Sequence, residues 1–129
     1  MDRHTVEQAI ERWVQILNRR GPVAAIRKAF ASDGVVLRYQ AHKPEEEPVP
    51  FRGHAAIAEW VKRSPKGTTF AAVARSLRGR APEVTVRYRV AVAEFRNGGQ
   101  WAIRVEESGK ITELHHRPAA LPAQQRGHD

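Results

Sequence analysis

Residues 83–117 read EVTVRYRVAVAEFRNGGQWAIRVEESGKITELHHR, and the pattern in this stretch decides the fold. Val84, Val86, Tyr88, Val90 and Val92 fall on every second position, the period of a strand buried on one face, while Thr85, Arg87 and Arg89 take the other. Asn97-Gly98-Gly99 supplies residues that accept positive φ and is the expected reversal. Trp101, Ile103 and Val105 then alternate on the way back. Ser108-Gly109 is expected to turn the chain again, into a third strand that ends near Arg117. A meander with one apolar face must be covered, and the segments with helical spacing all lie upstream.

The first of these starts at Thr5, which with Gln8 has the form of a capping box, and is expected to run to about Arg20. Val6, Ala9, Ile10, Trp13, Val14 and Leu17 give it a wide apolar stripe. Gly21 is expected to end it and Pro22 to open a second helix reaching Ala31, which buries Val23, Ile26 and Phe30. Ser32-Asp33-Gly34 reads as a turn before a short strand, Val35 to Tyr39. Residues 41–50 hold Pro44, Glu45, Glu46, Glu47, Pro48 and Pro50, which disfavour helix and ladder alike, so an exposed loop is expected. Gly53 to Ser64 returns to helix spacing, with Ile57, Trp60 and Val61 on one side. Thr68 to Leu77 reads as a strand and Arg78 to Pro82 as a turn. The predicted order is helix, helix, strand, helix and four strands. Residues 1–117 are expected to form one domain, and 118–129 a disordered C-terminal tail.

A chain of 129 residues suits one domain with a real core. Cysteine is absent, which excludes disulfides and thiolate chemistry. The formal charge is +8, with 17 Arg and 5 Lys spread along the chain and no run of five like charges. Anionic partners are favoured by long-range attraction, although an Arg-rich solvated surface is the readier expectation than a nucleic-acid interface. No signal-like or membrane-spanning apolar run is present, so a soluble, cytoplasmic protein is expected. His115 and His116 are adjacent and would point to opposite faces of a strand, a poor metal pair. No spacing suggests a metal or a nucleotide cradle, and no cofactor is expected.

The element order, together with GPVAAIRKAFASDGVVLRY (21–39), FRGHAAIAEWVKR (51–63) and IRVEESGKITELHHRP (103–118), resembles the nuclear transport factor 2-like (NTF2-like) superfamily in its SnoaL-like and ketosteroid-isomerase-like branch. The resemblance implies an α+β cone, a curved antiparallel sheet wrapped around three helices, with a hydrophobic pocket at the open end and usually a homodimer. In the isomerases of that branch a carboxylate on the strand after the second helix abstracts the proton. Here Arg38 holds that place, and a guanidinium cannot accept a proton. The hydroxyl of the family's first helix is likewise missing, with Val14 or a neighbour in its position.

The function expected from this pattern is binding of a hydrophobic small molecule that carries a carbonyl or acidic group. Arg38 would be the anchor, with Trp13, Trp60, Tyr88, Trp101 and Leu114 as walls. His116 is the candidate proton-transfer group, and a bulge near Ile111 would exchange it with His115. Isomerase or cyclase chemistry and a non-catalytic binding or dimer-scaffold role both fit. A dimer is expected across the outward line of Arg87, Arg89, Ala91, Ala93 and Phe95.

Overall fold

The computed structural model describes residues 3–77 and 83–120. Helix α1 (Arg3–Arg19) buries Val6, Ala9, Ile10, Trp13, Ile16 and Leu17, the i, i+3, i+4 stripe that the spacing demands. It begins upstream of Thr5, which therefore sits inside the first turn and not at the cap. At the other end the Gly21 amide donates to Ile16 O at 3.0 Å and the Arg20 amide to Leu17 O at 3.2 Å. This pair of bonds closes a helix through a left-handed residue. That residue is Arg20 (φ 57°), with Gly21 following at φ 122°.

Helix α2 (Val23–Ala29) is shorter than expected: the Pro22 carbonyl accepts from Ala25 and Ile26, and Phe30 is already extended. Ile26 and Phe30 are buried, but Val23 is exposed, because about two turns present a single inner stripe. Strand β1 (Phe30–Arg38) absorbs Ser32-Asp33-Gly34 as a bulge where a turn was expected. Its pairing jumps there from Phe30↔Ile111 to Val35↔Glu113. A Cβ at Gly34 would stand 3.0 Å from the carbonyl oxygens of Ala31 and Ile111, so the bulge admits only glycine without displacement.

Strand β2 (Val49–Arg52) was not expected, since Pro48 and Pro50 argue against a ladder. It pairs antiparallel with β1 at the edge of the sheet, where a missing amide can face away from the partner. The expected loop at 41–50 is thus shortened by Val49 and Pro50. Helix α3 (His54–Val61) then packs Ile57, Ala58 and Val61 inward, ending three residues before the expected boundary.

The remaining strands are β3 (Thr69–Leu77), β4 (Glu83–Val92), β5 (Phe95–Val105) and β6 (Ile111–Pro118). They build a curved, unclosed six-stranded sheet in the order β2-β1-β6-β5-β4-β3, with the three helices against its inner face. The sheet is mixed where an antiparallel one was expected: β6 inserts between β5 and β1, antiparallel to the first and parallel to the second. The β3 edge is tied to α1 by the Asn18 side chain, which accepts from the Phe70 amide at 2.6 Å and donates to the Phe70 carbonyl at 3.1 Å. Among the described residues no helix is long and apolar enough to cross a membrane. The expected turn at 78–82 and residues 121–129 of the expected tail lie outside the described residues. Ala119, just past β6, donates its amide to Gly98 O at 2.8 Å.

The reversal between β4 and β5 is not at Asn97-Gly98-Gly99 but at Ala93-Glu94, with Ala93 at φ 52° and Val92 paired to Phe95. Arg96 holds this turn by donating to the carbonyls of Ala93 and Phe95. The two glycines lie inside β5 for a different reason, close approach. A Cβ on Gly98 would collide with the Tyr88 carbonyl, and one on Gly99 with the Arg117 carbonyl. The shifted turn also changes parity. Phe95, paired with Val92, lies on the valine side of the ribbon, so the outward line reads Arg87, Arg89, Ala91 on β4 and Arg96, Gly98, Gln100 on β5. The surface expected to mediate pairing through Phe95 therefore does not include it.

Replacing Gly99 with Ala is expected to destabilise the fold by roughly 1 to 3 kcal/mol, the usual range for overpacking. The new methyl would also stand 2.8 Å from the Tyr88 hydroxyl and 2.9 Å from Pro118 Cα. Urea denaturation of Gly99→Ala measures this; an unchanged midpoint would show that the strands part there without cost.

Candidate functional site

The open end of the cone is formed where α1 ends, β1 and β6 run out together, and the chain leaves α3 for β3. A cavity of about 220 Å³ lies there, lined by Leu17, Arg38, Trp60, Arg63, Phe70 and His116, with Val61 and Ser64 beside them. Arg38 and His116 are register partners on the parallel β1–β6 pair, so both belong to the inner face. The bulge near Ile111 does occur, between Arg104 and Val105 on the β5 side, but it lets Ile111, Leu114 and His116 all be buried. His116 is thereby the inward histidine and His115 the outward one.

Behind the cavity the cone is filled by its own rings. Trp13 stacks on Trp60 (centroids 6.1 Å, 5° between planes) and meets Phe30 and Trp101 edge-on. Trp101 stacks on Tyr88 at 4.5 Å, and Tyr88 on His116 at 5.3 Å. Trp13, Tyr88, Trp101 and Leu114, expected as walls, are core residues behind the mouth; Trp60 alone of them lines it. The Trp13 indole N–H is buried and has no hydrogen-bond partner among the described residues. Of its two edge-on neighbours Phe30 is the nearer, with centroids at 5.6 Å against 6.1 Å for Trp101.

His116 has both ring nitrogens engaged. The Trp101 Nε1–H donates to Nδ1 at 3.0 Å, and the Tyr88 hydroxyl lies 3.3 Å from Nε2. An indole can only donate, so Nδ1 is an unprotonated acceptor and the imidazole proton sits on Nε2, facing the Tyr88 oxygen. A second proton could enter only at Nδ1, against the indole hydrogen. Burial, reinforced by the Arg38 charge, lowers the His116 pKa from 6.5 to about 3. Burial also raises the Tyr88 phenol well above its usual range, with Arg38 opposing that shift. The arrangement is a neutral donor chain running from Trp101 through His116 to Tyr88.

Arg38 is exposed at the rim, and among the described residues it has neither an ion pair nor a hydrogen bond. Glu113, one conceivable partner, is taken up by His115 at 2.7 Å on the outer face. Arg63 also borders the cavity, its guanidinium 5.5 Å from the centre of the Phe51 ring. The cavity lining contains no carboxylate. Among the described residues no cluster of three or more His, Asp or Glu could hold a metal. Sequence reasoning missed Phe70, Arg63 and Leu17. Phe70 was visible only as one position of a strand whose parity was open, and Arg63 sits in the turn after a helix that ends early.

No protein-family model and no curated protein matches the chain. Solved structures do. An NTF2-like protein of unknown function from Mesorhizobium loti is 20% identical with a TM-score of 0.71, over 93% of this chain and 96% of its own. A candidate ketosteroid isomerase from Kribbella flavida is 16% identical with a TM-score of 0.70, over 97% and 87%. A candidate SnoaL-like polyketide cyclase from Jannaschia is 11% identical with a TM-score of 0.66, over 92% and 90%. The fold of this chain is the α+β cone of the NTF2-like superfamily, the one it has in common with SnoaL-like and ketosteroid-isomerase-like structures.

Proposed function

We propose that the chain binds a small carboxylate with a single flat apolar ring at the mouth of its cone, and that it does so without acid–base catalysis. The observation that carries this reading is Arg38: a guanidinium at the rim of an aromatic-walled cavity, with no carboxylate among the described residues to neutralise it. Such a group pairs with a carboxylate in bidentate fashion. Size limits the rest of the ligand. An apolar cavity of about 150 Å³ accepts a benzene, so about 220 Å³ takes one ring and its acidic group, not a fused steroid.

The names borne by structural neighbours point to cyclase or isomerase chemistry in those proteins. Here the means for it are missing. Among the described residues no carboxylate lines the cavity, and the histidine that does, His116, is held neutral with its acceptor nitrogen occupied. In this reading His116 is a hydrogen-bonding wall of the site, not the proton-transfer group the sequence suggested.

Substituting Arg38 by Leu is expected to weaken benzoate-class ligands by about 1.5 to 3 kcal/mol, the scale of a hydrogen bond to a charged group. Stability should stay within ~0.5 kcal/mol, as for surface positions without a partner. Tryptophan fluorescence titration and denaturant melts measure the two quantities. A parent that binds no aromatic carboxylate, or an Arg38→Leu protein that binds as well as the parent, would overturn the reading.

The neutral state of His116 has its own signature. In the unfolded chain its imidazole titrates near 6.5, whereas in the fold it titrates near 3. Between those values the unfolded state holds a proton that the native state lacks, so stability is fully present above about pH 6.5 and falls as pH drops toward 3. The loss approaches ~1.4 kcal/mol per pH unit. His116→Asn keeps an acceptor for the Trp101 N–H but cannot titrate. Its stability should decline between about pH 6.5 and pH 4 by roughly 3 kcal/mol less than that of the parent. Parallel pH profiles would mean that His116 protonates in the native state.

A further inference from the structure

The outer face of the sheet carries a second concentration of guanidinium groups that the mouth does not use. Arg87 and Arg89 stand two residues apart on β4, and Gln100, the register partner of Arg87, is in turn paired with Arg117 on β6. Arg87, Gln100 and Arg117 therefore form a row across three strands, spanning about 10 Å at the usual strand spacing. A groove of about 400 Å³ lies at the β4–β5 end of this row, its walls including Val73, Arg87, Arg89 and Gln100, its floor Gly98 and Gly99; Arg117 stands beyond its lining. The glycines leave the floor as bare backbone.

Charge balance on this face is specific. Glu83 is within 4.0 Å of Arg104, and Glu113 is bonded to His115, so the carboxylates present are already matched. Arg87, Arg89 and Arg117 have no ion pair or hydrogen bond among the described residues; Arg117 lies 3.8 Å over the centre of the Tyr39 ring. Arginine in place of lysine suits phosphate, which its planar fork grips with two parallel bonds. A single phosphate would reach one or two of these groups, and the row is longer than that. Among the described residues the rings on this side, Tyr39 and His115, are stacked on each other and Tyr39 is covered by Arg117, which leaves no free aromatic platform for unstacked bases.

We propose that this groove binds a chain of linked phosphates, as in pyrophosphate, tripolyphosphate or the tail of a nucleoside triphosphate. Arg87 and Arg89 grip one end, Gln100 takes the other, and a chain long enough to leave the groove reaches Arg117. The site is separate from the mouth, which lies on the opposite face of the sheet, and does not depend on the carboxylate reading.

Calorimetric titration of the full chain with sodium tripolyphosphate, orthophosphate and ATP tests it. Tripolyphosphate and ATP are expected to bind at least tenfold more tightly than orthophosphate. The Arg87→Gln, Arg89→Gln double variant should lose tenfold or more for tripolyphosphate, while Arg38→Leu leaves that affinity unchanged. Both positions are exposed, and circular dichroism verifies that the double variant is folded. Equal affinity for tripolyphosphate and orthophosphate would overturn the proposal. So would an equal loss in an Arg12→Gln, Arg19→Gln control on α1, which would make the effect one of net charge. A single-stranded oligonucleotide that binds more tightly than tripolyphosphate, and through Arg87 and Arg89, would assign the face to nucleic acid and overturn it as well.

Discussion

Everything inside this cone rests on one problem, how to bury the polar edges of several large rings in a small volume. Three tryptophans, a tyrosine and a histidine meet between one helix layer and one sheet face. Stacking Trp101 on Tyr88 gains contact area but leaves an indole N–H and a phenol oxygen needing partners away from water. His116 answers both with its two different nitrogens, accepting at one and facing the hydroxyl with the other. A neutral imidazole has one acceptor and one donor nitrogen, so it can do this while uncharged. The neutrality of His116 is thus a packing requirement before it bears on any chemistry.

That requirement shapes the mouth. A cone whose interior is occupied by its own rings keeps only a shallow cavity at the rim, and the charge at the rim is positive. Arg38 acts on both neighbours behind it, opposing protonation of His116 and favouring ionisation of Tyr88. Burial outweighs it at Tyr88 and reinforces it at His116. The donor chain therefore stays neutral, and the full charges bordering the cavity are the guanidinium groups of Arg38 and Arg63. An incoming anion meets a fixed cation with a neutral, hydrogen-bonding wall, an arrangement suited to holding a ligand and poor at moving its protons.

Much of the fold was legible because period and burial agree. The alternation of Val84, Val86 and Tyr88, and that of Trp101, Ile103 and Val105, maps directly onto the inner sheet face. Where reading failed, a residue served close approach or an edge and not its common local role. Gly98 and Gly99 look like a turn in sequence; they are small because facing carbonyls crowd the strand. Gly34 does the same within β1, which hid a bulge behind a turn signal. Pro50 looks like a strand breaker and lies in an edge strand. The mouth was half legible. Arg38 and His116 came from the resemblance to the NTF2-like family and Trp60 from the helical spacing of residues 53–64, but the split between core and lining depends on how far the rings fill the cone, which no linear pattern encodes.

The same strands that carry the aromatic column inward carry arginines outward, and this follows from period two. Tyr88 cannot sit over Gly99 on the inner face without placing Arg87 and Arg89 on the outer one. Gly99, which makes room for the Tyr88 hydroxyl inside, also helps leave the outer groove floored by backbone. The two features therefore share a cause. Side chains at residues 98 and 99 would crowd the inner stack and narrow the outer groove together. The sheet is thin enough that one pair of glycines sets the shape of both its faces, while opposite parity keeps the chemistry of the two faces apart.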